Sequence, residues 1–137
     1  MPTSPLQVVC AVIFEDGKVL AARRDPGRSF PLKWEFPGGK QESDESPEMA
    51  LHRELEEELE FKVRIVRPLE PVPFRRDGHC LDLIPFVCRP DQAHGPRPVD
   101  HVEIRWLPPG DLERLEWAPA DVPILPQIPG LLEQLVD

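Results

Sequence analysis

Glu54, Glu57 and Glu58 are spaced as neighbours on one helix face. At 100° per residue they fall within an arc of about 100°, with Cβ atoms roughly 5–6 Å apart. Like charges at this spacing cost a helix roughly 0.2–0.5 kcal/mol per pair, so three together make best sense around a cation. Their hard oxygens suit Mg²⁺, with Mn²⁺ as the alternative. Both ions take near-octahedral oxygen sets and keep waters and substrate phosphates among their ligands.

The helix that must carry them is well specified. Ser46 is the expected N-cap, Pro47 the first helical residue and Glu48 a first-turn acid, followed by an apolar stripe of Leu51, Leu55 and Leu59. That stripe runs beside the three acids, whereas His52, Glu56 and Glu60 point to the far side, so the acids should face a cleft edge. Arg53, one turn before Glu57, is placed to hold it. Taken alone, a run such as LEEELE reads more simply as a solvated face.

The surroundings favour the site. Gly39, five residues, Glu45, seven residues, Arg53-Glu54-Leu55, one residue and Glu57-Glu58 resemble the signature of the Nudix hydrolases at every defined position but one. Glu60 stands where that family has glycine, followed by the apolar Phe61. A left-handed helix end costs a non-glycine residue roughly 1–2 kcal/mol, so a local adjustment there is expected, without loss of the acids. Gly38 and Gly39, read as a Pro-Gly-Gly turn, would bring backbone groups close to phosphates or metal where a side chain would obstruct.

Composition agrees with a single catalytic domain over residues 1–137, with 40% hydrophobic residues to form one core. A net charge of −9 argues against nucleic-acid polymers and anionic membranes as partners, so a phosphate substrate would need metal mediation. There is no apolar run of membrane-spanning length, and MPTSPLQ lacks a signal-like pattern, which makes a cytoplasmic location the expectation. Cys10, Cys80 and Cys88 show no paired spacing and read as reduced, mostly buried thiols.

Strands are expected at Val8–Phe14, Val19–Ala22, Lys62–Pro68, Pro71–Arg75, Cys80–Cys88 and His101–Leu107, with turns at Asp16-Gly17 and Asp77-Gly78. Helical pieces are expected at Gly110–Leu115, Ala118–Leu125 and Gly130–Val136, and the 19 prolines fall between periodic segments as rigid loops. A mixed sheet flanked by helices follows, matching the α/β/α sandwich that the Nudix resemblance implies.

The resemblance also implies hydrolysis of a phosphoanhydride in a nucleoside diphosphate derivative, with Glu54, Glu57 and Glu58 as metal ligands and Glu54 or a later loop carboxylate as base. Ala21-Ala22-Arg23-Arg24, the segment Trp34 to Lys40, and Trp117 to Pro123 look like the MutT-type nucleoside triphosphate pyrophosphohydrolases, which release the monophosphate and pyrophosphate. Carried over by position, Arg24 contacts nucleotide and Asp100 is the loop carboxylate, with Glu103 as fallback. Asp121 stands where 8-oxo-dGTP-removing members have asparagine. An ionised Asp only accepts hydrogen bonds, which suits cytosine N4, and WAPAD looks closer to the CTP pyrophosphohydrolase branch. A helix-capping Asp121 is the plainer alternative. Phe74, Leu83 and Phe86 are candidate pocket walls or core. The expected function is pool sanitation or turnover of CTP, dCTP, 5-hydroxy-dCTP or 8-oxo-dGTP by a monomer or weak homodimer. ADP-ribose or dinucleoside polyphosphates are alternative substrates, and a non-catalytic binding module is the remaining class.

Overall fold

The computed structural model describes residues 4–76 and 78–131. Strand β1 (Leu6–Glu15) is central. It runs antiparallel to β2 (Lys18–Arg23) through an Asp16-Gly17 turn whose two residues both have positive φ (52° and 75°). Those values are what a two-residue hairpin turn of matching twist requires. β1 also pairs antiparallel with β4 (Gly38–Lys40) and parallel with β7 (His79–Pro90). β5 (Val63–Pro68) and β6 (Val72–Arg76) run antiparallel to β7, while β3 (Trp34–Glu35) and β8 (Glu103–Leu107) flank β2.

Both faces of this mixed sheet are covered, which is why β1 reads as a continuous apolar run. Val9, Ala11 and Ile13 pack with Leu51, Leu55, Leu59 and Phe61 of the helix side. Cys10, Val12 and Phe14 pack on the opposite face with Trp117, Ile124 and Ile128. Helix α1 (Pro47–Leu59) has Ser46 as N-cap, its hydroxyl accepting from Met49 N at 3.1 Å, and Pro47 in the first turn. Among the described residues no helix is long and apolar enough to cross a membrane. All three cysteines are free thiols.

Two expectations need correction. The pieces expected as helices at Gly110–Leu115 and Ala118–Leu125 are short 3₁₀ segments, Pro109–Arg114 and Val122–Gln127. Prolines at 119, 123, 126 and 129 withhold the amide donors an α-helix needs. Most of Gly130–Val136, like Asp77, lies outside the described residues. Gly38-Gly39 is strand, not turn, paired with Cys10 and Val9 in ladder register.

The helix end does not adjust. Glu60 itself takes the left-handed conformation (φ 48°, ψ 47°), its N–H bonds Glu56 O, and Phe61 N reaches Leu55 O at 3.4 Å. The acids of α1 keep their register, and Glu60 bears the conformational cost. Its Arg97 contact is 3.8 Å long and exposed, so it offsets little. Glu60→Gly is expected to stabilise the fold by about 0.5–1 kcal/mol in urea denaturation, since glycine adopts this conformation freely but loses more entropy on folding. A destabilised variant would show that the Glu60 side chain does more than tolerate its backbone.

Candidate active site

The site is built where β4 meets α1. A Cβ on Gly38 would overlap the Val9 carbonyl oxygen, and one on Gly39 would overlap the Glu54 carboxylate. The obstruction anticipated at these glycines is therefore the protein's own packing. A bare Gly39 leaves the space that the Glu54 carboxylate occupies beside the strand.

Arg53 fixes this junction. Its Nε and Nη2 grip Glu45 bidentately at 2.7 and 2.9 Å, Nη2 also reaches Lys40 O at 2.9 Å, and Nη1 donates to Glu54 Oε1 at 3.0 Å. Glu57, the expected partner of Arg53, receives only a longer contact at 3.4 Å and is 59% exposed. Hydrogen bonding to Arg53 holds the Glu45 carboxyl down at about 2 and raises the arginine further above its ordinary range. Glu54 moves the other way, because burial outweighs its bond to Arg53.

Glu58 is the extreme case. It is buried at 5% exposure, its Oε2 has no partner, and its Oε1 lies 3.8 Å from His101 Nε2. Burial, then the charges of Glu35, Glu54 and Asp100, push its carboxyl up to about 9. An orphaned carboxylate oxygen beside two further acids fits a hard divalent cation, which would satisfy the oxygen and offset the repulsion. Glu54 and Glu57, the other acids expected to hold it, lie one turn and one residue before Glu58 on α1.

Two residues not singled out from sequence complete the buried cluster. Glu35 Oε2 lies 2.9 Å from His101 Nε2, and Glu35 Oε1 accepts from Arg24 Nη1 at 2.6 Å. Ligand atoms of Glu35, Glu58 and His101 all fall within 4.8 Å of one another. Burial alone would raise Glu35, but His101 and Arg24 outweigh it and its carboxyl stays below the ordinary value. His101 is brought in by its loop, whose backbone caps α1: Arg97 N bonds Leu59 O and Val99 N bonds Glu58 O. An acid between two aromatics in Trp34-Glu35-Phe36, and a histidine beside Asp100, were the available signals.

A cleft of about 180 Å³ opens from this cluster, lined by Arg24, Arg28, Glu35, Gly38, Gly39, Glu58, Phe74, Leu83 and Asp121, among others. Phe74 and Leu83 are thus walls, whereas Phe86 belongs to the helix-side core. Arg24 lines the cleft with all three guanidinium nitrogens already bonded, to Glu35 and to Ser29 O and Oγ. Asp100 sits at the rim, exposed and 3.3 Å from Arg28, and Glu103 pairs with Arg23 and Arg105 outside the cleft lining.

Asp121 also lines the cleft. The segment before it is stitched to β3 by Trp34 N to Glu116 O and Ala118 N to Trp34 O, both 2.8 Å. Its Oδ2 accepts from Phe36 N at 2.9 Å, and it makes no side-chain capping bond to the 3₁₀ segment it precedes. The capping alternative is set aside. Burial, then the Glu35 charge, raises its carboxyl well above the ordinary value, so the neutral acid is favoured where an ionised Asp was expected.

Comparison with known proteins gives a consistent picture. Residues 4–128 match the NUDIX domain. The chain is 35% identical over 124 residues to the CTP pyrophosphohydrolase of Escherichia coli, covering 88% of each chain. It is 44% identical over 55 residues to the 8-oxo-dGTP diphosphatase of Haemophilus influenzae, 39% of this chain and 40% of that one. Among solved structures, the E. coli ORF135 protein superposes with a TM-score of 0.79 at 29% identity, covering 98% of this chain and 96% of that one.

The raised Glu58 carboxyl has a measurable sign. Its folded pKa of about 9 exceeds the ordinary carboxylate value, so the metal-free fold holds a proton that the unfolded chain has released. Stability from this group is greatest below the unfolded value and declines as pH rises towards 9. The Tm of metal-free protein should therefore fall between pH 5 and 9, less so in Glu58→Gln, and Mn²⁺ binding should tighten with pH and release a proton in calorimetry. Flat affinity with no proton released would refute this.

Proposed function

The chain belongs to the NUDIX domain family, and on that premise we propose that it hydrolyses a nucleoside triphosphate to the monophosphate and pyrophosphate, with Mg²⁺ as cofactor and a cytosine-type base preferred. The observation that carries this is the layout of the cleft. The buried Glu58 carboxyl with its orphaned oxygen lines it together with Glu35, apolar Phe74 and Leu83 form a wall, and the buried Asp121 carboxyl lines it as well.

Each group of the chain has a task in that layout. Bound Mg²⁺ would neutralise polyphosphate oxygens and lower the pKa of a water for in-line attack. Glu54, Glu57 and Glu58 would hold it, and Arg53 orients Glu54 while tying α1 to β4. Glu54, or Asp100 at the rim, takes the proton of the attacking water. Gly38 and Gly39 leave the floor free of side chains, and Arg24 holds the loop over it.

A neutral Asp121 carboxyl can donate to cytosine N3 while accepting from N4. The same group can pair with O6 and N1 of a guanine, so Asp121 does not by itself choose between bases. The cytosine preference is supported by likeness to the CTP pyrophosphohydrolase over most of both chains. The shorter likeness to the diphosphatase makes 8-oxo-dGTP the second reading. Either substrate would place the enzyme in nucleotide-pool sanitation or turnover, acting on a free nucleotide as monomer or weak dimer.

Initial rates with Mg²⁺ across CTP, dCTP, 5-hydroxy-dCTP, 8-oxo-dGTP, dGTP and ADP-ribose test this, with pyrophosphate and monophosphate measured separately. The cytosine compounds should lead, with equimolar pyrophosphate; inactivity on every triphosphate would end the proposal. Glu57→Gln should lower kcat on the order of 1,000-fold while metal-free nucleotide binding survives. Asp121→Asn retains a donor and an acceptor, so it should keep activity within about tenfold and lower the CTP to 8-oxo-dGTP ratio of kcat/KM, whereas Asp121→Ala should lose both substrates. An unchanged ratio in both variants would remove Asp121 from base recognition.

A further inference from the structure

A triphosphate brings several negative charges into a cleft already lined by Glu35, Glu58 and Asp121. Metal at the carboxylates can offset only part of that charge. The arginines lining the cleft, among the described residues, are Arg24 and Arg28. Arg24 is committed: Nη1 bonds Glu35, while Nε and Nη2 bond Ser29.

Arg28 is differently placed. Its one described side-chain contact runs from Nη1 to Asp100 Oδ2 at 3.3 Å, with the two side chains 46% and 59% exposed. A half-exposed, singly bonded pair of this kind contributes little to folding and can be exchanged readily. A guanidinium meeting phosphate oxygens in a bidentate fork makes a stronger contact.

The backbone holds Arg28 over the cleft. Asp25 O accepts from Arg28 N at 3.2 Å and Asp25 Oδ2 from Gly27 N at 3.1 Å, while Arg24 clamps Ser29 from beneath. Just beyond, Phe30 and Leu32 both take positive φ (49° and 61°), conformations that bulky side chains seldom adopt. Strain of this kind persists where surrounding structure imposes it, and it is concentrated at functional segments. On the facing side, Asp100 lies on the loop whose backbone bonds Glu58 O and Leu59 O. The Arg28–Asp100 pair thus links a residue lining the cleft to the loop whose backbone bonds the end of α1 at Glu58 and Leu59.

We propose that Arg28 is a polyphosphate-binding residue of this enzyme, held by Asp100 in the empty cleft and transferred to the substrate phosphates on binding. The exchange releases the Asp100 carboxylate at the rim beside Glu58 as substrate arrives. This rests on the triphosphate reading above and adds to it the group that distinguishes a polyphosphate from a monophosphate.

The test is equilibrium binding in Mg²⁺ of three probes, α,β-methylene-CTP, inorganic tripolyphosphate and CMP, to wild type, Arg28→Ala, Arg28→Lys and Asp100→Asn. Arg28→Ala should weaken the analogue and tripolyphosphate by about 10- to 100-fold, with CMP changed less than about twofold. Arg28→Lys should recover part of the loss, and Asp100→Asn should bind both polyphosphates at least as well as wild type. Equal affinity of Arg28→Ala for the polyphosphates would overturn the proposal, as would equal weakening towards CMP. A loss in Asp100→Asn matching that of Arg28→Ala would also overturn it, showing the pair to be structural. Wild type that binds tripolyphosphate through Arg28 but not the CTP analogue would support Arg28 and refute the cytosine reading. Wild type that binds none of the polyphosphates would refute both.

Discussion

Everything in this site depends on the contact between a bare strand and a helix. β4 can lie against β1 only because Gly38 carries no side chain, where a methyl group would meet the Val9 carbonyl, and a methyl group on Gly39 would meet the Glu54 carboxylate of α1. The requirement is steric, since neither glycine has positive φ. Once the helix is seated, Leu51, Leu55 and Leu59 sink into the core and rotate Glu58 inward beside them, leaving Glu57 in solvent. Three carboxylates of one helix therefore meet three different environments.

Those environments explain the electrostatics. Glu57 is exposed with only a long arginine contact, Glu54 is partly buried with one arginine bond, and Glu58 is buried with an oxygen left over. A buried, unpartnered carboxylate is costly to a metal-free fold. The neighbouring groups do not relieve it: Glu35 is satisfied by Arg24 and His101, and His101 stands off from Glu58 at 3.8 Å. The free energy withheld from folding is available to cation binding, because the cation supplies the missing partner.

The far half of the site is assembled by segments with little regular structure. The loop bearing Asp100 and His101 hangs on the last carbonyls of α1, and the Trp117–Asp121 segment is stitched to β3 by backbone bonds. Pro96 and Pro98 in the first and Pro119 in the second withhold amide donors, and neither segment is an α-helix. The helix end follows the same logic: packing of Phe61 and the Glu56 and Leu55 carbonyl bonds hold Glu60 in a conformation its own side chain disfavours.

Much of this was legible in the chain because it is local. Ser46, Pro47 and the leucine stripe define α1, apolar runs bounded by turn signals define the strands, and the spacing of Arg53, Glu54, Glu57 and Glu58 defines the acid face; each depends on neighbours within a turn or two. Contacts far apart in sequence were not legible. Arg53 bonding Glu45 more closely than Glu57, Glu35 meeting His101 across 66 residues, and Asp121 bonding Phe36 across 85 are products of how strands and loops converge. Environment was equally hidden, and it decides protonation: hydrogen bonds from Arg53 hold the Glu45 carboxyl at about 2, and burial raises that of Glu58 to about 9. Sequence by itself determined which groups could do the chemistry. Only the tertiary structure decided which were desolvated and what they faced, because solvent exclusion and long-range proximity are properties of the packed fold.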